Sequence, residues 1–318
     1  MKRSAPLLLR RAVKRAAELI IILIILSFLV FALMYAAPGD PAEKRLTSQG
    51  IVVTKEILQA ERERLGLLRP FFVRYGEWLG SIARGDFGVS FKDDMPVAGK
   101  LAAGLKNTLI LSSLSLLISL AAALPLGIVS AVRQDGPADH LIRVVSFVGN
   151  SLPNFLISVL LMYFFCIRLK LLPVIASGNL RGLLLPALSL AIPLASRFVR
   201  QIRSELIGEL QEEYVTGLRA RGVRERYVIW KNVLYNSLGH IVTMAALAVG
   251  TLMGGSVVIE TVFRWPGIGK LVMDSINARD YPVIMGFVLI MGTIYMGVNL
   301  LADVIAGILD PRILNTQK

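Results

Sequence analysis

The feature that most constrains this chain is an uncharged, almost wholly apolar run over residues 19–37. A helix of that length matches the hydrocarbon thickness of a bilayer. Five more apolar stretches follow, at residues 107–132, 144–167, 182–196, 238–259 and 283–302. We therefore predict an all-α integral membrane protein with six transmembrane helices.

Composition supports a membrane protein and argues against a nucleic-acid partner. Hydrophobic residues make up 55% of the chain, and the formal net charge is +13. The Lys and Arg residues lie mainly in loops between apolar runs, where the positive-inside rule explains them. The loops assigned to the inside carry more of them than the short outer loops, so both termini are expected to be cytoplasmic.

The first apolar run has an alternative explanation as a cleaved signal peptide, because it ends in the small residues Ala36 and Ala37. Its apolar part is longer than the usual signal-peptide core, and further spans follow. We favour residues 1–37 as a cytoplasmic N-terminus with a retained first helix.

Residues 38–106 are too polar to span a membrane and are expected to form an extracytoplasmic insertion between helices 1 and 2. Thr54 can cap a helix to about Leu65, and Pro70 can begin another that Gly85 ends. The second helix carries an apolar stripe, either at the membrane interface or as a small core. Its members are Phe71, Tyr75, Trp78, Leu79 and Ile82.

The third apolar run contains residues that interrupt a helix, whereas the fourth is predicted to continue as one helix. The third contains Asn150, Pro153 and Asn154 near its start, and such breaks are tolerated only where helices or a cavity satisfy the freed groups. The fourth continues past the bilayer, because arginines recur at near-helical spacing without a Gly or Pro. They are Arg197, Arg200 and Arg203.

A basic amphipathic loop, residues 204–237, separates the fourth and fifth runs. Glu212 and Glu213 suit a helix start, Arg219 and Arg221 suit its last turn, and Gly222 suits its end. Tyr214, Val215 and Leu218 then share one face, while the small Gly217 and Ala220 leave room for a close partner. The residues alone leave open whether this is a docking helix or an ordinary solvated loop.

A second helix is predicted over residues 224–236 after the break. Its apolar residues fall on one side at helical spacing. They are Val228, Ile229, Val233 and Leu234.

The loop contains a pattern formed by Tyr214, Val215, Arg219, Ala220 and Gly222. It resembles the coupling helix of B-type permease subunits in ATP-binding-cassette (ABC) importers of the dipeptide, oligopeptide and nickel family. In that family the helix inserts into a cleft on the ATPase subunit. The chain lacks the glutamate and the proline of the wider importer motif. The resemblance assigns ATPase coupling to Glu213, Tyr214, Val215, Gly217, Leu218, Arg219, Ala220 and Gly222.

A second segment, from residue 260 to 282, is also similar to that family. It reads Glu260-Thr-Val-Phe263-Arg-Trp265-Pro266-Gly267-Ile-Gly269, followed by Arg279-Asp280-Tyr281-Pro282. We predict a tight turn that sets Trp265 at headgroup depth, an ion pair from Glu260 to Arg264, and a role as outer gate or binding-protein contact. Shorter matches are Pro38-Gly39-Asp40-Pro41, Gly85-Asp86-Phe87-Gly88 and Asp310-Pro311-Arg312.

The resemblance implies the type I importer permease fold, with a five-helix core over residues 107–310 and a cytoplasmic tail over 311–318. It implies a bacterial inner-membrane location and four kinds of partner: a second, homologous permease subunit, two ABC ATPases, an extracytoplasmic binding protein and the lipid bilayer. ATP and magnesium would bind the ATPases and not this chain.

No enzyme motif is found in the sequence: it has no phosphate-binding loop, no H-E-x-x-H and no G-x-S-x-G. Cys166 is the single cysteine, and His140 and His240 are far apart, so no metal or cofactor site is expected. An ion-driven secondary transporter is the alternative outside the family, and a membrane-embedded hydrolase is less well supported. Within the family, peptides are the first expectation for the substrate and nickel the second.

Overall fold

The structure is a computed structural model that describes residues 5–176 and 179–309, with side chains over 18–176 and 179–302. The terminal segment around Asp310-Pro311-Arg312 and the side chain of Asp303 lie outside the described parts. The helices are Ala5–Ala36 (α1), Pro41–Ser48 (α2), Lys55–Arg64 (α3), Phe71–Ala83 (α4), Val97–Val132 (α5), Pro137–Ser151 (α6), Asn154–Met162 (α7), Leu180–Leu210 (α8), Glu213–Ala220 (α9), Glu225–Tyr227 (α10), Leu234–Phe263 (α11), Ile268–Ala278 (α12) and Tyr281–Leu309 (α13).

Within the described residues, five helices are long and apolar enough to cross a membrane, and a bent pair makes a sixth candidate. The all-α, six-span prediction is therefore confirmed as a count of candidate spans. The break predicted in the third span is a sharp bend, because α6 and α7 meet at 99°. Pro153 has no N–H and drives the preceding Leu152 into an extended conformation, with ψ at 133°.

Two helix boundaries differ from the predictions because packing extends the helices. α5 begins at Val97, inside the polar segment, where the buried side chains of Val97 and Leu101 pack with Ile268 and Val283. The helix predicted over residues 224–236 consists of α10, a π-helical segment Val228–Val233 and the first residues of α11. Its predicted apolar face is confirmed, because Val228 and Val233 are buried.

The predicted extension of the fourth helix is confirmed. α8 runs without a break from Leu180 to Leu210, with Pro186 and Pro193 inside it. Its C-terminal half, which carries the recurring arginines, is anchored by Phe198, Ile202 and Leu206, each 1% exposed. The helix therefore reaches almost to the start of α9 as one continuous rod.

The chain divides into two compact units, the first formed by residues up to Asn107 with Pro266–Gly297, the second by Thr108–Trp265 with the chain from Val298. In the first unit, α4 lies against α1. The Phe31 ring centroid lies 5.3 Å from that of Phe71, 5.4 Å from that of Tyr75 and 5.8 Å from that of Trp78. Three rings of the aromatic stripe thus pack against α1 as a small core, while the position of the stripe relative to the membrane interface stays a prediction.

Candidate functional site

The centre of the candidate site is α9, whose end is built as a Schellman motif. Gly222 N–H donates to the Arg219 carbonyl at 2.9 Å, and Val223 N–H donates to the Leu218 carbonyl at 3.2 Å. The motif needs a left-handed residue after the C-cap, and Gly222 has φ of +76°. The predicted helix and its glycine stop are confirmed.

One face of α9 is fixed to the second unit. Val215 has no exposed surface, and the Tyr214 hydroxyl donates to Glu209 Oε1 at 2.7 Å. Asn236 Nδ2 donates to the same oxygen at 3.0 Å. Burial and the Glu209 carboxylate raise the pKa of Tyr214 to about 12. A single carboxylate at the end of α8 therefore holds both α9 and the start of α11.

The opposite face of α9 is exposed and, apart from Glu213, consists of short or small side chains. No atom would lie within 4 Å of a Cβ placed at Gly217. Arg219 pairs with Glu225 across the turn, with Nη2 at 2.6 Å from Oε1. The pair raises the pKa of Arg219 and braces the turn. The exposed face comprises Glu213, Thr216, Gly217 and Ala220, and we call it the α9 outer face.

A buried ion pair that the sequence reasoning missed holds α6 to α8. Arg203 Nε and Nη2 each donate to the Asp139 carboxylate at 2.8 Å. Asp139 has no exposed surface, and it also accepts bonds from the Ser130 hydroxyl and, at 3.0 Å, from the Asp135 N–H. Three successive spans of the second unit, α5, α6 and α8, thus converge on one carboxylate.

The end of α11 and the turn after it hold the predicted residues Glu260, Phe263 and Trp265, all of them buried. Thr108 Oγ1 donates to Glu260 Oε1 at 2.6 Å, so the structure gives Glu260 a neighbour other than the Arg264 that we predicted. Arg264 is exposed and left-handed, with φ of 53°. Trp265 is 2% exposed and packs in the main apolar core, and its expected place at headgroup depth stays a prediction.

The remaining predicted residues lie in the first unit, around the unpredicted helix α12. Gly267 is its N-cap, Gly269 is buried in its first turn, and Pro266 precedes it as an exposed residue. The sequence does contain a pattern that indicates α12, because Ile268, Val272 and Ser275 recur at helical spacing. These three residues are buried.

The R-D-Y-P sequence joins α12 to α13 and holds the loop before α5. Asp280 is 1% exposed and accepts bonds from the Ser90 hydroxyl and, at 2.8 Å, from the Phe91 N–H. Arg279 is left-handed, with φ of 57°, while Tyr281 and Pro282 are buried at the start of α13. The motif therefore acts on its own chain as a clasp between sequence-distant loops.

Asp280→Ala is expected to lower the free energy of unfolding by about 2 kcal/mol, because two buried donors lose a charged acceptor. We also expect faster tryptic cleavage after Lys92, which follows the released residues. Limited proteolysis and thermal unfolding in detergent measure both effects. The exposed Asp274→Ala on α12 is the matched control, and equal cleavage rates for the two variants would contradict the clasp.

The fold defines a multi-pass helical membrane protein, and comparison with known proteins defines its family. The model described as "Binding-protein-dependent transport system inner membrane component" matches residues 123–315. The model for the N-terminal part of that membrane component matches residues 8–112. The chain belongs to this family: it is the inner-membrane permease component of an ABC importer.

Two relatives are similar over nearly the whole chain. The glutathione transport system permease protein GsiC of Escherichia coli strain K12 is 34% identical over 306 residues, which cover 96% of this chain and 99% of the relative. A Brucella ovis protein with the provisional name of a peptide permease is 37% identical over 305 residues, covering 92% and 94%.

A solved structure confirms the type I importer fold. It is the MetNI methionine ABC transporter in an inward-facing conformation, with a TM-score of 0.57 and 20% sequence identity. The match covers 66% of this chain and 96% of that one. Family membership implies an ATPase and a substrate-binding protein as partners.

Proposed function

We propose that this chain is the subunit through which an ATP-driven importer moves di- or oligopeptides across the inner membrane. The observation that carries the coupling role is the α9 outer face, a patch of short side chains at the end of an unbroken helix. The peptide substrate is supported by the names of the two relatives, a glutathione permease and a peptide permease.

The arrangement of α8, α9 and α11 suggests how force would cross the chain. A displacement of α9 would move α8 and the start of α11 with it, because Val215 is buried and Glu209 bonds both Tyr214 and Asn236. Packed helices respond to such a push by moving as rigid bodies. The displacement would then pass along α8, which the Asp139–Arg203 pair ties to α6.

The proposal includes the partners and the orientation that the family resemblance suggested. A second permease subunit would complete the pore, two ATPases would dock on the α9 outer faces of the pair, and ATP and magnesium would bind those ATPases. The termini would be cytoplasmic, and the segment that follows α1 would face the substrate-binding protein.

Uptake of a labelled dipeptide into proteoliposomes tests the proposal. Vesicles that hold this chain, its second permease and its ATPases should import the peptide only with binding protein outside and ATP inside. Collapsing the proton gradient should leave the rate unchanged. Uptake that continues without the ATPases and follows the proton gradient would contradict it and favour a secondary transporter.

A further inference from the structure

A cavity of about 270 Å³ lies in the first unit, where the apolar part of α1 ends. It shares Tyr281 with the Asp280 clasp and has no lining residue on α9. Its walls combine aromatic and basic side chains with backbone. The residues that matter here are Met34, Tyr35, Gly39, Arg62, Arg74 and Tyr281.

Arg74 contributes a positive charge to the cavity without an acidic partner. It is half-buried, and its guanidinium carbon lies 5.8 Å from the centroid of the Phe31 ring and 5.9 Å from that of Tyr35. Among the described residues, no carboxylate lies within ion-pair distance and no acceptor bonds its guanidinium. Burial lowers the pKa of Arg74. The two rings hold the charge in place but satisfy none of its five N–H donors.

Arg279 brings a second charge beside the cavity, where its guanidinium lies against Gly39 in the cavity wall. A Cβ at Gly39 would fall 1.2 Å from Arg279 Nη1, so the guanidinium occupies the space that a side chain there would need. Gly39 also has φ of +96°, which disfavours any other residue. Arg279, too, has no acidic partner among the described residues.

The remaining charges at the cavity cancel each other. Arg62 Nε donates to Asp40 Oδ2 at 2.7 Å, so that pair contributes little net field. Two guanidiniums with free donors therefore dominate, and guanidinium groups bind phosphate and carboxylate groups through paired N–H donors. The two guanidiniums therefore favour an anionic ligand.

The position of the cavity identifies the anion further. α1 has an apolar span from Glu18 to Ala36, and the cavity begins in its last turn. Along α1, Leu29 and Leu33 are 52% and 64% exposed, and Phe72, two residues before Arg74 on α4, is 76% exposed. An apolar track thus leads along a span to two cations at the level of the lipid headgroups.

We propose that this cavity binds the phosphodiester of an anionic phospholipid, with Arg74 and Arg279 as its ligands and the acyl chains along the exposed face of α1. The lipid would act as a structural ligand that neutralises the two guanidiniums. It would also steady the contact of α4 with α1, whose aromatic core includes the ring beneath Arg74.

Lipid titration of the assembled transporter tests the site. The complex is purified in detergent, stripped of lipid, and titrated with phosphatidylglycerol or phosphatidylcholine, with bound lipid counted by native mass spectrometry. We expect phosphatidylglycerol to bind the wild type with at least about tenfold higher affinity than it binds Arg74→Gln, because a charge-assisted bidentate contact is lost. Arg279→Gln should show a similar loss from the other side of the cavity, which keeps the test open if one variant folds poorly.

A matched control lies at the opposite end of α4. Arg84→Gln removes an exposed charge whose Nε bonds only the Gly80 carbonyl, and it should bind lipid like the wild type. Equal phosphatidylglycerol affinity in all four proteins would overturn the site. Release of the lipid by submillimolar inorganic phosphate would overturn the lipid as occupant in favour of a free anion. Loss of binding-protein stimulation with unchanged lipid affinity would assign the arginines to a protein partner instead.

Discussion

Asp139→Ala is expected to lower the free energy of unfolding by about 3 kcal/mol, because it leaves a largely buried guanidinium without its partner. Arg203 is 17% exposed and Asp139 0%, so water cannot fully replace the lost carboxylate. Ser130 and the Asp135 N–H also lose their acceptor. Thermal unfolding in detergent, followed by tryptophan fluorescence, should show a melting temperature lower by several degrees.

Two further variants separate the loss of the buried pair from the mere removal of a charge. Glu77→Ala breaks an exposed pair with Arg69 and should cost less than about 1 kcal/mol. The double variant Asp139→Ala, Arg203→Met should recover much of the loss, because no unpaired charge is left. A single variant that melts like the wild type would show that the pair does not hold α6 to α8.

Ala220→Glu is expected to abolish most peptide uptake while ATP hydrolysis by the partner subunits continues. Ala220 is exposed on the α9 outer face, so the new carboxylate should leave this chain's fold intact. An unpaired charge forced into a close-packed interface costs several kcal/mol, which corresponds to a loss of more than about tenfold. Uptake and hydrolysis are measured on the same proteoliposomes.

Ala60→Glu is the matched control for that variant. Ala60 is also exposed, but it lies on α3 in the first unit. It should transport at the wild-type rate. Normal coupled uptake by Ala220→Glu would remove α9 from the ATPase interface and leave the family assignment standing.

Local signals predicted α9 and α8 well. The acidic start, the basic end and Gly222 are all within one short segment, and each acts through backbone hydrogen bonds or the helix dipole that depend on neighbours in sequence. The continuity of α8 followed from arginine spacing. The long apolar runs likewise predicted the transmembrane spans.

The failures concern contacts between residues far apart in sequence. Nothing near Asp139 indicated Arg203, and nothing near Asp280 indicated Ser90, because those pairs form only when separate helices pack. The burial of Trp265 in the apolar core was likewise not indicated by its neighbours in sequence, because it depends on tertiary packing. The bend at Pro153 was visible as a break, but its angle depends on the surrounding helices.

The bonds at Glu209 bear on how this chain can be recombined with its relatives. One oxygen atom serves the hydroxyl of Tyr214 and the amide of Asn236, so the three side chains form a matched set. A graft limited to α9 would place a residue of the relative opposite the Glu209 carboxylate of this chain. A workable exchange cassette would therefore begin before Glu209 and end after Asn236.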